Sequence, residues 1–169
     1  MSRMKIKRPT RKTILQIILV ILVIFAVRIY QQQELTQGLV PSFSSKTLSG
    51  EVIESRAASE RATLVRFWAS WCKICHIENA NVETLIPRYR VINIALQSGS
   101  DEEIQAYAQE NDMTINNIVN DQNGSLARLF GVQVTPSSFV LDPQGRIVFR
   151  EVGYVTTLGY HLRLWWAGL

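Results

Sequence analysis

The sequence predicts an α/β domain with a central mixed sheet and helices on both of its faces, preceded by one N-terminal transmembrane helix. Three observations predict it: an apolar run at 14–30, a strand-helix-strand pattern over 64–96, and two β-rich runs separated by a turn at 138–150. No second linker interrupts residues 41–169, and this length is normal for one compact domain.

The chain begins with a basic head, residues 1–13, followed by the apolar run. The head holds no acidic residue and six basic ones: Arg3, Lys5, Lys7, Arg8, Arg11 and Lys12. As a helix, residues 14–30 would reach about 25 Å, slightly less than a hydrocarbon core of about 30 Å, and Arg28 could snorkel to the far interface. Because basic flanks stay in the cytoplasm, we expect a cytoplasmic head and a domain on the opposite side.

A cleaved signal peptide shows the same basic head and apolar run, so it is the alternative to a membrane anchor. Cleavage needs small residues at the end of the apolar run. Ala26-Val27-Arg28 places an arginine there instead. The sequence therefore favours an uncleaved anchor at 14–30.

Residues 31–40 are polar and unpatterned, and we interpret them as a tether. The net charge of +4 comes from the head, since the chain from Gln31 onward has 11 basic and 14 acidic residues. The head is thus a topology signal, and we expect no nucleic-acid partner. The orientation fits a bacterial inner membrane with a periplasmic domain at 41–169, in a compartment that permits disulfide chemistry.

The predicted domain opens with a small hairpin around Leu48-Ser49-Gly50, with strands at 43–46 and 51–53. A buried strand at 64–68, a helix at 72–88 and a buried strand at 91–96 then form one βαβ unit. The later elements are a helix at 101–110, a strand at 118–119, a helix at 125–130, antiparallel strands at 138–141 and 146–150, and a helix at 158–166. Ser100 followed three residues later by Glu103 predicts a capping box for the helix at 101–110, and Gly131 is expected to end the short helix.

Cys72 and Cys75, the two cysteines of the chain, directly follow the strand at 64–68. A strand that delivers a Cys-x-x-Cys pair to the first turn of a helix places the first thiol among unpaired backbone N–H groups, which favour the thiolate. Such a dithiol exchanges electrons with the cysteines of other proteins. Lys73 also favours the anion and Ile74 adds no donor, so we expect a modestly lowered pKa for Cys72 and a reducing to intermediate potential.

The two cysteines have three alternative uses besides thiol-disulfide exchange. A structural zinc site usually needs four ligands, and only His76 and His161 could join the cysteines, so we expect no metal. A purely structural disulfide would close too short a loop to constrain the unfolded chain. A copper(I) module using both thiolates and His76 suits soft-ligand chemistry, although no methionine lies near the motif.

The stretch Phe67-Trp68-Ala69-Ser70-Trp71-Cys72-Lys73-Ile74-Cys75 resembles the active site of the thioredoxin superfamily. It is most similar to the membrane-anchored periplasmic branch of TlpA- and ResA-like thiol-disulfide oxidoreductases. Residues 131–142 resemble the second signature of that branch, and 153–166 resemble the ScsD (suppressor of copper sensitivity D) proteins. The resemblance covers 41–169 and implies a thioredoxin-like fold and a protein-disulfide oxidoreductase without a cofactor.

The resemblance implies a role for each matching residue. Cys72 would be the exposed nucleophile and Cys75 the buried resolving thiol. Pro136 would follow a cis peptide bond, and Thr135 would pair with the substrate backbone, although an ordinary turn is the plain reading of this pair. Glu78 would handle protons for the buried thiol; its alternative is a solvated glutamate on the helix surface.

Further residues in and around the motif are also expected to affect the site. Trp71 would cover the edge of the disulfide and contact substrate, with buried packing as its alternative. Lys73 and Ile74 would tune the potential. Arg66 stands where thioredoxin itself has a buried acid, so the resemblance implies that the proton route through that acid is absent. Glu78 is then the candidate proton carrier. Ala80 replaces a frequent helix proline, so we expect a straighter helix.

The resemblance implies a membrane-tethered reductase of periplasmic protein disulfides with a role in copper tolerance. Its partners would be protein thiols and a membrane electron donor of the DsbD or ScsB type. The alternatives are an oxidase that donates its disulfide, or a module for copper(I) binding and delivery.

Overall fold

The computed structural model describes residues 11–56 and 59–169, which belong to two units separated after Gln33. The described part of the first unit is one helix, α1 (Arg11–Gln33), whose apolar side chains, among them Ile14, Leu19 and Val27, are exposed. Among the described residues, no helix meets the length and hydropathy that a membrane span requires. The predicted anchor and its orientation stay predictions, and residues 1–10 of the basic head lie outside the described residues.

The second unit, residues 34–169, contains all the described strands and four further α-helices. The strands are β1 (Ser44–Lys46), β2 (Val52–Glu54), β3 (Thr63–Trp68), β4 (Arg90–Leu96), β5 (Ile118–Asp121), β6 (Ser137–Leu141) and β7 (Ile147–Val152). The helices are α2 (Lys73–Glu83), α3 (Asp101–Glu110), α4 (Ser125–Phe130) and α5 (Thr157–Ala167), and a 3-10 turn spans Ile115–Asn117.

Five of these strands form one mixed sheet in the order β5-β4-β3-β6-β7, and β1 and β2 pair separately as the predicted hairpin. The central strand β3 runs parallel to β4 and antiparallel to β6, and all six of its residues are buried. A strand buried on both faces is expected to be mostly apolar, as Leu64, Val65, Phe67 and Trp68 are, and Arg66 is the charged exception. The predicted βαβ unit and C-terminal hairpin are confirmed.

Successive residues of β3 point to opposite faces of the sheet and contact different helices. Phe67 packs against Phe130 of α4, with ring centroids 5.1 Å apart. Leu64 belongs to a separate apolar cluster with Val82 of α2 and Leu164 of α5. Helices therefore cover both faces, and the predicted thioredoxin-like α/β fold is confirmed for this unit.

The predicted tether at 31–40 does not extend through residues 34–40. Leu35 and Val40 are buried, the Thr36 amide donates to the carbonyl of Phe130 at 3.0 Å, and the Val40 amide donates to that of Gly145 at 2.8 Å. This segment packs as part of the domain because its two apolar side chains reach the core.

Most predicted element ends agree with the structure, and one does not. The capping box between Ser100 and Glu103 is formed, and Gly131 ends α4 in the left-handed conformation with a φ of 69°. The helix predicted at 72–88 ends earlier, at Glu83, and continues as tight turns. Pro87 accounts for part of this difference, since a proline disfavours the helical conformation of the residue before it.

Candidate active site

The two cysteines lie where the sequence places them, at the start of α2. Cys72 is the residue that caps the helix, and it forms a disulfide with Cys75, with the two Cα atoms 5.2 Å apart. The backbone N–H of Cys75 points at Cys72 Sγ, at 3.2 Å. An N–H group aimed at this sulfur would stabilise a thiolate there after reduction.

The two sulfur-bearing residues differ in their access to solvent. Cys72 is 8% exposed, whereas Cys75 is fully buried. Of the two sulfur-bearing residues, only Cys72 therefore keeps a surface that another molecule could contact. The roles of Cys72 as nucleophile and of Cys75 as resolving thiol stay predictions, and this asymmetry is compatible with them.

The second sequence signature lies directly against the disulfide. The Thr135-Pro136 peptide bond is cis, as the resemblance implies. The carbonyl oxygen of Thr135 lies 3.7 Å from Cys72 Sγ. Pro136 is buried and Thr135 is half-buried, so the backbone before the proline faces the site.

Trp71 extends into solvent beside Cys72 and does not pack in the core. Its side chain is 63% exposed, and its indole N–H donates to the carbonyl of Gln97 at 3.1 Å. The alternative of buried packing is therefore wrong. The hydrogen bond gives the ring a defined position at the edge of the disulfide, where it could contact a substrate.

A surface groove of about 420 Å³ borders the disulfide on the side of α3. Its lining residues are Ser70, Trp71, Cys72, Lys73, His76, Ile77, Tyr107 and Asn111.

Partial burial raises the pKa of Tyr107, while a hydrogen bond from Asn79 and the charge of Arg66 act in the opposite direction. The Tyr107 hydroxyl lies 3.4 Å from Nδ1 of His76, so this histidine lines the groove and lies outside the core. Ile74 is half exposed and is not one of the residues that line the groove.

Glu78 is fully buried, so the solvated alternative considered for it is wrong. Its Oε2 accepts a hydrogen bond from Nε of Arg66 at 2.9 Å, which also makes a buried ion pair. Its Oε1 accepts bonds from the backbone N–H of Val155 at 2.7 Å and from the Tyr160 hydroxyl at 3.2 Å. The carboxylate thus joins α2 to β3 and to α5.

Arg66 is the residue whose importance the sequence analysis missed. It is fully buried, and beyond Glu78 it donates to the carbonyl of Cys75 at 3.0 Å and to the Oδ1 atoms of Asn79 and Asn93 at 3.0 Å and 3.3 Å. A lone arginine inside an otherwise apolar strand was the available signal, because a buried cation needs an acidic partner.

Tyr160 extends this polar network towards β6. Its hydroxyl lies 2.7 Å from Oγ of Ser138. Burial raises the pKa of Tyr160 well above its ordinary value, and the charge of Glu78 acts in the same direction, while Arg66 opposes it. The phenol is therefore held neutral as a hydrogen-bond donor to Glu78.

Residues 37–150 match the AhpC/TSA family of the thioredoxin superfamily. The chain belongs to this family. Among curated proteins, the thioredoxin-like protein YneN of Bacillus subtilis is 33% identical over 122 residues, covering 69% of this chain and 71% of the relative. A thioredoxin-like protein of Haemophilus influenzae is 26% identical over 166 residues, which cover 97% of this chain and 98% of the relative. The thiol-disulfide oxidoreductase ResA of Bacillus anthracis is 28% identical over 126 residues, covering 69% of each chain.

Solved structures of the same kind share the fold of this AhpC/TSA member. A thiol:disulfide interchange protein of Chlorobium tepidum aligns with a TM-score of 0.67 at 23% identity, covering 79% of this chain and 98% of that one. StoA of Bacillus subtilis aligns with a TM-score of 0.61 at 24% identity, covering 74% and 96%. With the family, the relatives and the Cys72–Cys75 disulfide in agreement, the chain is a thiol-disulfide oxidoreductase of thioredoxin fold.

Proposed function

We propose that this oxidoreductase is a membrane-tethered periplasmic reductase, which uses the Cys72–Cys75 dithiol to reduce disulfides in other proteins. The observation that carries the exchange chemistry is the contrast between Cys72 at the start of α2, which keeps 8% of its surface exposed, and the fully buried Cys75. That contrast suits a reaction in which one sulfur attacks and the other resolves.

The reaction runs in two exchanges. The thiolate of Cys72 attacks one sulfur of a substrate disulfide, which forms a mixed disulfide and releases the other substrate sulfur as a thiolate. The Cys75 thiol loses its proton and attacks Cys72 Sγ, which releases the second substrate thiol and leaves the Cys72–Cys75 disulfide. Two electrons have passed to the substrate. A second dithiol then returns the pair to its reduced form.

The small number of groups that favour a Cys72 thiolate supports the proposed reducing direction. The start of α2 and Lys73 favour the anion, whereas Ile74 is apolar and offers no donor. A cysteine pair is oxidising when its reduced form is strongly stabilised. The start of α2 and Lys73 stabilise the Cys72 thiolate only modestly. A reducing to intermediate potential is therefore expected.

The surface around Cys72 suits an extended protein segment as substrate. Four apolar side chains near the disulfide are at least 45% exposed, namely Trp71, Ile74, Ile77 and Val134. The half-buried backbone of Thr135 next to them could pair with the substrate main chain. Apolar contacts and backbone pairing together recognise many sequences, which fits a reductase with several protein substrates.

The basic head and the apolar run at 14–30 support the tether, and the helical α1 with exposed apolar side chains is compatible with it. On the far side of the membrane the dithiol would need electrons from a membrane donor of the DsbD or ScsB type. The resemblance of residues 153–166 to ScsD proteins supports a role in copper tolerance, since copper misoxidises cysteines.

Trapping in intact bacterial cells tests the substrate class and the direction. The full chain with Cys75→Ala should accumulate mixed disulfides with periplasmic proteins, and Cys72→Ala/Cys75→Ala, which lacks both sulfurs, should accumulate none. The purified wild type should catalyse insulin reduction. A potential as oxidising as that of disulfide donors would favour the oxidase, and copper(I) binding without insulin turnover would favour the metal module.

A further inference from the structure

The ion pair of Arg66 and Glu78 joins β3 to the active-site helix α2, and both side chains are fully buried. Removing two charges from water is costly, and apolar pairs of similar volume often serve stability equally well. A buried pair is therefore weak evidence for a role in stability. Its position next to the dithiol suggests a function in the redox reaction.

The cation is linked directly to the buried cysteine. Nη2 of Arg66 donates to the carbonyl oxygen of Cys75 at 3.0 Å. Nη1 donates to Asn79 and Asn93, so the guanidinium is fixed in orientation by neutral acceptors as well as by Glu78. Charges interact strongly in a site without water, so this cation acts on any charge that develops on the dithiol.

The anion of the pair lies on the same helix, three residues after Cys75. Val155 and Tyr160 donate to its Oε1 and hold it in place from the C-terminal part of the domain. The carboxylate disfavours a thiolate nearby, while the guanidinium favours one. The two charges therefore oppose each other at the dithiol.

We infer that Arg66 is a positioning residue which, together with Glu78, sets the redox potential of the Cys72–Cys75 pair. The guanidinium orients the first turn of α2 through the Cys75 carbonyl and cancels the effect of the buried carboxylate. With the pair intact the net charge behind the dithiol is zero, and the reduced form gains no extra stabilisation. This inference rests on thiol-disulfide exchange at Cys72 and Cys75, and it holds whether the protein acts as a reductase or as an oxidase.

Equilibrium with glutathione measures the effect. Two glutathione thiols are oxidised to one glutathione disulfide while the Cys72–Cys75 disulfide is reduced to two thiols, so two electrons and two protons pass to the protein. A charge that stabilises a thiolate lowers the free energy of the reduced protein and raises this equilibrium constant. Because the readout is an equilibrium, a change in the rate of exchange does not alter it.

The experiment uses the full chain in detergent, with Glu78→Gln as the first variant. This change leaves Arg66 uncompensated, and we expect the equilibrium constant to rise about tenfold, which is about 30 mV in potential. The double variant Arg66→Met/Glu78→Gln removes both charges and should return the constant to within about threefold of wild type. Glu151→Gln is the matched control. It breaks the ion pair between Glu151 on β7 and Arg163 on α5, away from the dithiol, and should leave the equilibrium constant unchanged.

Circular dichroism establishes that each variant is folded. Should Glu78→Gln not fold, Glu78→Ala takes its place under the same criteria, because it removes the same charge and presents no donor to Arg66. The inference is overturned if neutralising Glu78 leaves the constant within about threefold of wild type, or if the double variant keeps the full shift. A wild-type protein that never equilibrates with glutathione would overturn the oxidoreductase function itself, together with this inference.

Discussion

Cys72 Sγ lies 3.7 Å from the carbonyl oxygen of Thr135, although 63 positions separate the two residues in the chain. The contact places the cysteine motif, which follows β3, and the Thr-Pro motif, which precedes β6, at the same end of these two adjacent antiparallel strands. A substrate segment that pairs with the backbone of Thr135 would therefore present its sulfur to Cys72.

The two thiols of the reduced protein should differ in their reactivity. Cys72 is accessible and lies at the start of α2, while Cys75 is fully buried. With excess iodoacetamide we expect one rapid adduct at Cys72 and a second at Cys75 that is at least about tenfold slower. Mass spectrometry over time measures both. Cys72→Ser should leave only the slow reaction, and equal rates at the two cysteines would contradict the structure.

Replacing Trp71 with alanine should weaken the reduction of protein disulfides. The loss of an exposed aromatic contact surface should lower kcat/KM for insulin by about five- to thirtyfold, equivalent to about 1–2 kcal/mol. Trp166→Ala is the matched control, because Trp166 on α5 is 62% exposed and Trp71 is 63% exposed. An equal loss in both variants would show that Trp71 has no special role in substrate contact.

The buried phenol of Tyr160 should make the domain lose stability at alkaline pH. Burial raises the pKa of Tyr160. The unfolded chain releases this proton at about pH 10, whereas the folded protein still keeps it at that pH. The contribution is fully present below about pH 10 and is lost as the pH rises further. Urea unfolding between about pH 8 and about pH 11 measures it.

Tyr160→Phe should show a flatter alkaline decline than the wild type. Its stability at neutral pH should fall by about 1 kcal/mol, because the bonds to Ser138 and Glu78 are lost. Tyr154→Phe removes an exposed phenol and should keep the wild-type decline. An unchanged decline in Tyr160→Phe would rule out this tyrosine as its cause.

Alanine at Gly131 should destabilise the domain more than alanine at Gly153. Both glycines have positive φ, 69° and 86°, so either change costs about 1–2 kcal/mol of backbone strain. A Cβ at Gly131 would also collide with the carbonyl of Glu34, whereas one at Gly153 meets nothing within 4 Å. We expect the collision to add about 1–3 kcal/mol to the loss of unfolding free energy in urea, and equal losses would contradict it.

Several features of this domain could be predicted because they depend on neighbours along the chain. The bond between Ser100 and Glu103 spans one helical turn, and the positive φ of Gly131 follows from the absence of a Cβ. The apolar run of β3 and the cysteines directly after it likewise predicted a dithiol at the start of a helix. Local periodicity, capping and residue chemistry are sufficient for such features.

Other features depend on which surfaces meet after folding. Glu78 could equally have been a solvated helix residue, and its burial follows from the packing of α2 on β3, which brings Arg66 to it. The polar composition of residues 31–40 predicts a tether, yet Leu35 and Val40 are buried in the core of the domain. A polar or charged residue has the same local sequence signal whether it faces water or a buried partner. Its environment is set by contacts between distant segments, which periodicity along one segment does not contain.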